Sequence, residues 1–274
     1  MQELRPLGLD IHLWLMIVAG LALFAELAFL RLRHTAVDFK DVVHSVAMGV
    51  SWSAVRMFGA NAAMFGGWLW IYRSVAPWHL DVHNPLTWVA YWLVGDLVYY
   101  WTHRSEHRVR LLWSSHLIHH SSEQYNLATA VRMPWTEAFY KPIVAMWAPL
   151  LGFHPMMYVV FGAISLMVGQ WQHLDWFPKV ALVDQLFMSP SNHRVHHAKN
   201  PRYIDKNFGG SLVVWDRIFG TYEPETERPI YGVLHRPEAA TTFKRSLGGY
   251  PELAAAMRRN GTVRGAARLA LGRP

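Results

Sequence analysis

The sequence predicts an all-α integral membrane protein. It has about four to five transmembrane helices, the last two equally readable as a re-entrant hairpin, and a cytoplasmic histidine-rich metal-binding cap. Three observations predict this. Of the 274 residues, 52% are apolar and only 16% charged, where soluble domains carry about 25% charged residues. Mean hydropathy is still only +0.08, so the apolar residues are gathered into segments and leave a substantial aqueous portion. Histidines recur at helical spacing where one apolar segment ends, and again after the last one. The chain reads as one domain over 1–274: membrane helices at 11–101, a histidine-bearing region at 102–222 that includes a helical hairpin at 138–171, and a basic tail at 223–274.

Ile11–Leu30 is about 20 residues interrupted only by His12 and Glu26, enough to cross the ~30 Å hydrocarbon core. No basic n-region precedes it and it is long, so it reads as a retained span. A second span is expected within Ser45–Tyr72, whose small residues permit close helix packing. Its Arg56 is expected to pair across helices with Asp96 or Glu26. Pro85–Trp101 is the third span, contains Asp96 and runs straight into the first histidine pair. Ala138–Phe153 and Pro155–Trp171 flank Gly152 and His154, a tight hairpin that dips into the bilayer or crosses it. Ser211–Trp215, a short apolar run among the turn residues Asn200-Pro201 and Gly209-Gly210, has no assigned structure. Lys244–Pro274 holds seven basic residues and one acid, Glu252; it reads equally as an amphipathic surface helix or a disordered basic tail.

Basic residues set the orientation. Arg31, Arg33 and Lys40 follow the first span, Arg104, Arg108 and Arg110 the third, and Lys179 and Arg194 the fifth. With these in the cytoplasm, the N-terminus is outside and every clustered histidine lies on one side. The expected location is a multi-pass protein of the bacterial inner membrane, or of the endoplasmic reticulum in a eukaryote. The net charge of +7 suits anionic lipid head groups. No nucleic-acid-binding motif is present, so nucleic acid is not an expected partner. The absence of cysteine excludes disulfides, Cys-ligated zinc and iron–sulfur clusters.

His103–His120 reads HRSEHRVRLLWSSHLIHH, with His103-x3-His107 followed by His116-x2-His119-His120. The second spacing returns at His193, His196 and His197, and His173 stands alone between the two regions. Positions i, i+3 and i+4 share a helix face, so each group can aim its imidazoles at a common centre. About 0.05 chance occurrences of His-x2-His-His are expected in such a chain, so two copies are not coincidence. Nine imidazoles exceed what one ion takes, and two ions of about four imidazoles each is the natural reading. His79-x3-His83 has the spacing but falls in the predicted outer loop between Pro77 and Pro85, and is read as unrelated. Asp96, Asp175 and Asn192 are expected to orient imidazoles through their second nitrogens; Glu106, inside the first motif, is a further acceptor or a solvated charge.

These groups, in this order and spacing, resemble the histidine boxes of the fatty acid hydroxylase/sterol desaturase superfamily. The likeness covers roughly 90 to 222 and includes the leading Asp96, Tyr99, Tyr100, Trp101, His103 and Arg104. The stretches HLIHHSSEQYNLATAVR (116–132) and SPSNHRVHHAKNPRYIDKNFGGSLVVWDRIFGTY (189–222) are similar to the alkylglycerol monooxygenase branch and its bacterial members. Arg108 departs from that branch, whose animal members carry an acid there. The resemblance implies a membrane-bound, non-haem di-iron oxygenase with the nine histidines as catalytic metal ligands and two iron ions as cofactor. It also implies a membrane lipid as substrate (sterol, fatty acyl or ether lipid), O2 as oxidant and hydroxylation as the reaction. A desaturase on the same site and a di-zinc membrane hydrolase are the alternatives. No flavin, Rossmann or haem-attachment motif is present, so a separate electron donor is required: a tetrahydropterin or a ferredoxin- or cytochrome-type protein.

Overall fold

The computed structural model describes residues 4–56, 61–235 and 241–274. The chain enters through α1 (Leu4–Leu32), α2 (Phe39–Val55), α3 (Asn61–Ser74) and α4 (Pro85–Arg108), and continues into α5 (Arg110–His120) and α6 (Leu127–Ala130). The hairpin region holds α7 (Glu137–Val144), α8 (Trp147–Leu150) and α9 (Pro155–Gln172). Beyond it come α10 (Ala181–Leu186), α11 (Pro190–His197), α12 (Val214–Ile218), α13 (Thr242–Ser246), α14 (Tyr250–Asn260) and α15 (Val263–Leu271). Among the described residues there are no strands, only the isolated bridges Phe187–Leu212 and Ala198–Tyr231.

Three of the four helices that carry clustered histidines, or end at one, start by a common local rule. Asn84, His154 and Ser189 each cap a helix whose first residue is proline, in α4, α9 and α11. The cap side chain accepts an otherwise unpaired amide, and proline gives up an N–H that would have no partner there. α4 ends where Val109 turns extended (φ −111°, ψ 116°), and α5 begins at once. The short break lets α5 fold back on α4, its most extensive helix partner, so His103 and His107 face His116 and His120. α9 packs against α1, α3, α4, α6 and α11 and delivers His173 at its C-terminal end. Away from the histidines, Tyr91, Phe153 and Met157 form an apolar cluster, with Phe161 stacked on Tyr91 at 4.7 Å.

Several expectations need correction. The end of α2 and most of α3 lie within Ser45–Tyr72; residues 57–60 between them, like the His12 side chain, lie outside the described residues. Arg56 pairs with neither Asp96 nor Glu26: it donates to Tyr158 Oη at 3.2 Å and lies 5.0 Å from the Trp52 ring. An aromatic face and a phenol accommodate the guanidinium without a second buried charge. Glu26 instead accepts the Leu127 amide at 2.7 Å, tying α1 to α6. Ser211–Trp215 pairs through Leu212 with Phe187 and then enters α12. The basic C-terminal segment is helical: α14 and α15 pack on α5, and Gly249 and Arg110 amides donate to Ser114 and Gly272 carbonyls at 2.7 and 2.8 Å. Among the described residues, one stretch, Trp14–Leu32, is long and apolar enough to cross a membrane; its mean hydropathy is 2.1.

Candidate metal centre

All nine clustered histidines are buried, and they sort into two sets. His103, His107, His116, His120 and His196 form one; His119, His173, His193 and His197 form the other. Within each set, one ligand atom per ring lies within 4.8 Å of all the others. The His-x2-His-His motif therefore does not aim at one centre, as its spacing suggested. Each residue advances a helix by ~100°, so i and i+4 lie close in direction while i+3 lies ~100° from i+4. α5 gives His116 and His120 to the first set and His119 to the second. α11 gives His193 and His197 to the second set and His196 to the first. The two helices are divided in opposite senses, and the motif is shared between two sets of imidazoles rather than confined to one.

The ring nitrogens fit metal ions. His103, His119, His173 and His196 donate Nδ1–H to the backbone carbonyls of Phe208 (3.0 Å), Arg132 (3.3 Å), Gly169 (2.7 Å) and Lys206 (3.0 Å). Each donation fixes a tautomer whose Nε2 carries a free lone pair. Nε2 of His107, His173, His196 and His197, and both nitrogens of His193, have no hydrogen-bond partner among the described residues. Buried polar atoms are rarely left so, and unpaired ones mark a place for an ion or a water. His116 Nε2 lies 3.0 Å from His103 Nε2 and 3.2 Å from His120 Nε2. Two nitrogens each ~2.1 Å from one ion and at right angles across it lie ~3.0 Å apart. Burial and then neighbouring imidazoles hold His103, His107, His119, His120, His193 and His197 well below the usual histidine range. Burial brings His173 to about 4 and His196 to about 3. Neutral imidazole is the ligand form.

Two carboxylates complete the first set. His116 Nδ1–H donates to Glu137 Oε1 at 3.0 Å, with Glu106 Oε2 at 3.5 Å. Lys141 forms ion pairs with both Glu137 and Glu106, and Tyr140 Oη donates to Glu106 at 2.6 Å. Burial would raise Glu137, but the Lys141 ammonium and His116 hold it well below the usual carboxylate range. Glu137 carried no signal in the sequence beyond its i,i+4 spacing to Lys141 in an acid-poor stretch. Beside the first box, Asp205 supplies a carboxylate from elsewhere in the chain. It pairs with Arg108 at 3.0 Å and lies 3.9 Å from His107 Nδ1.

The three residues expected to orient imidazoles touch none of them through a hydrogen bond. Asp96 accepts from the Ser211 amide (2.6 Å), the Leu212 amide (3.1 Å) and Trp215 Nε1 (3.0 Å). Asp216 binds the Phe208 and Gly209 amides at 2.7 and 2.8 Å. Together they pin the segment whose Phe208 carbonyl holds His103. Gly209 and Gly210 permit this approach, since a Cβ at Gly210 would sit 2.8 Å from Asp96 Oδ1. Asp175 accepts from Tyr231 Oη at 2.6 Å, and Asn192 donates to the Asp184 and Phe187 carbonyls, anchoring the start of α11. In each case the polar side chain meets a backbone amide, a carbonyl or a phenol nearer than any imidazole. His79 and His83 join neither set: His79 packs on Tyr72 at 4.4 Å.

A sequence profile described as fatty acid hydroxylase matches residues 88–221, the span that contains every clustered histidine. Human alkylglycerol monooxygenase is 34% identical over 200 residues, which are 71% of this chain and 43% of that protein. A cholesterol 25-hydroxylase-like protein of Danio rerio is 28% identical over 65% of this chain and 74% of its own length. An ornithine lipid hydroxylase of Rhizobium tropici is 26% identical over 47% of this chain and 40% of its own length. The chain spans less than half the length of the alkylglycerol monooxygenases that it matches. No solved structure matches it.

Proposed function

The chain belongs to the fatty acid hydroxylase family, and from that premise we propose a membrane-bound, non-haem di-iron oxygenase that uses O2 to hydroxylate a membrane lipid. The single observation that carries this reading is the division of nine buried imidazoles into two converging sets with unpartnered nitrogens. His103, His107, His116, His120 and His196 would hold one iron and His119, His173, His193 and His197 the other. Bound iron would supply O2 activation and the oxidation of a C–H bond. The chain's own residues set the conditions for that chemistry. Neutral imidazoles leave the ions their full positive charge. The carbonyls of Phe208, Arg132, Gly169 and Lys206, with Glu137, fix ring tautomer and direction. Burial of every ligand excludes bulk water.

The substrate is a sterol, a fatty acyl chain or an ether lipid, entering between apolar helices from within the bilayer. The protein is multi-pass over its single domain, with the histidines on the cytoplasmic side of a bacterial inner membrane or of the endoplasmic reticulum. Electrons come from a separate donor, a tetrahydropterin or a ferredoxin- or cytochrome-type protein. The names of the relatives, hydroxylases and monooxygenases, favour hydroxylation over desaturation or zinc hydrolysis.

Metal analysis of protein purified from iron-replete cells, with O2 uptake on adding lipid and reductant, tests this. Two irons per chain and lipid-dependent uptake are expected. Zinc alone, with no O2 uptake on any lipid, would contradict the proposal.

A further inference from the structure

Two short helices flank the later histidine segment and turn apolar faces outward. α10 leads into Ser189, the cap of α11, and α12 follows the stretch whose Phe208 carbonyl holds His103. Leu182 and Leu186 share one face of α10, and Val214 and Ile218 share one face of α12. All four are exposed, Leu182 by 68% and Ile218 by 61%. The two faces meet where the Val213 amide donates to the Leu186 carbonyl at 3.2 Å, beside the Phe187–Leu212 bridge. No residue of α10 is buried. So short a helix is marginal in water, and helices in proteins are held mainly by burying an apolar face. A clustered apolar face of this kind marks a surface that something covers.

Two contacts identify the cover. Trp176, exposed in the approach to α10, packs on Phe29 at 5.2 Å. Phe29 lies near the end of Trp14–Leu32, the stretch long and apolar enough to cross a membrane. α12 packs on α4, where Trp215 Nε1 donates to Asp96 at 3.0 Å. Counted from Pro85 at the start of α4, Asp96 stands about 17 Å along the helix, short of the ~30 Å that clears a hydrocarbon core. α12 is therefore level with a part of α4 that the bilayer surrounds. Positive charge edges the patch: Arg33 lies over the Phe29 ring at 5.7 Å and Arg217 over that of Tyr222 at 4.3 Å. Anionic head groups favour such an edge.

We propose that α10 and α12 form one platform seated in the cytoplasmic leaflet of the bilayer, which docks α11 and the 208–212 stretch against the membrane. This rests on the membrane setting proposed above. The occupant is lipid rather than a second copy of the chain. The patch continues the surface of a membrane span, and its basic edge would repel its own copy. Like other helices that lie in an interface, the platform buries its apolar side chains about 5–10 Å deep, at the boundary of head groups and acyl chains.

The chain has no cysteine, so one introduced thiol takes one nitroxide label. Leu182→Cys and Ile218→Cys carry the test. Phe24→Cys on α1 and Arg228→Cys, both at exposed positions, are the lipid and water references. Each is made in the full iron-loaded chain and placed in nanodiscs of phosphatidylcholine and phosphatidylglycerol. Spin relaxation by O2, which gathers in hydrocarbon, is compared with relaxation by a neutral nickel chelate, which stays in water. The O2-to-nickel ratio at the Leu182 and Ile218 positions is expected to approach that at Phe24 and to exceed that at Arg228 about tenfold. A ratio at both positions equal to that at Arg228, with the Phe24 label in lipid, overturns the platform. Shielding from both reagents, with dipolar broadening between labels, means that a second copy covers the face and overturns it too. A Phe24 label open to the nickel chelate overturns the membrane setting, and this inference with it.

Discussion

His116 is the residue on which the first set turns. One ring nitrogen faces two other imidazoles at 3.0 and 3.2 Å, and the other faces Glu137 at 3.0 Å. Glu137 is fully buried, and its partners are His116 and the Lys141 ammonium. Glu137→Ala leaves both with only Glu106, at 3.5 Å from each, and removal of one partner of a buried pair costs about 3 kcal/mol. Losing an outer partner of a ligand also weakens metal retention about 10-fold or more. Denaturant unfolding and chelator competition measure the two effects, and Glu137→Gln, which keeps an acceptor oxygen, should recover most of the second. Eight of the nine clustered histidines were legible because their spacing repeats a helix period, while His173 stands alone in the sequence. Glu137 was not legible, because it lies 21 residues from its partner His116, and nothing local marks such a contact. The carbonyls of Phe208, Lys206, Arg132 and Gly169 were invisible for a deeper reason: every residue has one, so no residue type announces the role.

At the scale of elements, the two His-x2-His-His helices are split between the sets in opposite senses, and this follows from ~100° per residue. α4 and α9 begin at Pro85 and Pro155, where the sequence placed the starts of two apolar segments; α11 begins at Pro190, where it placed none. Asp96 was expected to orient an imidazole. It pins Ser211 and Leu212, close in sequence to the Phe208 carbonyl on His103, rather than an imidazole. Asp96→Asn places an amide donor among three N–H donors and should loosen the 208–212 segment. The expected outcome is about 10-fold weaker retention of the ion in the His103 set, with the other ion unaffected. Stepwise chelation followed by metal analysis separates the two ions; equal weakening of both would contradict the assignment.

The whole molecule is polar within and apolar without. The buried residues include all nine clustered histidines, Asp96, Glu106, Glu137, Asn192 and Asp216, while Trp14, Phe24, Leu86, Phe139, Ile143 and Ile164 are exposed. Water would penalise that distribution, whereas a bilayer accepts it, which supports the proposed membrane setting. The same interior makes the protein acid-sensitive. Burial lowers the His173 imidazole from 6.5 to about 4 and that of His196 to about 3. Below pH 6.5 the unfolded chain therefore takes up protons that the folded chain does not. Stability of the metal-free protein should be complete above about pH 6.5 and fall as pH drops toward 4, as thermal unfolding in detergent at stepped pH will show; no change across that window would mean the imidazoles are not held neutral. The central claim, a two-metal oxygenase acting on membrane lipid, is tested most directly by mass spectrometry of lipids from cells producing the native chain or its His197→Ala variant. The account predicts a lipid that gains one oxygen atom, traceable to labelled O2, with the native chain alone. Identical lipids in both, with the native protein folded and metal-loaded, would contradict it.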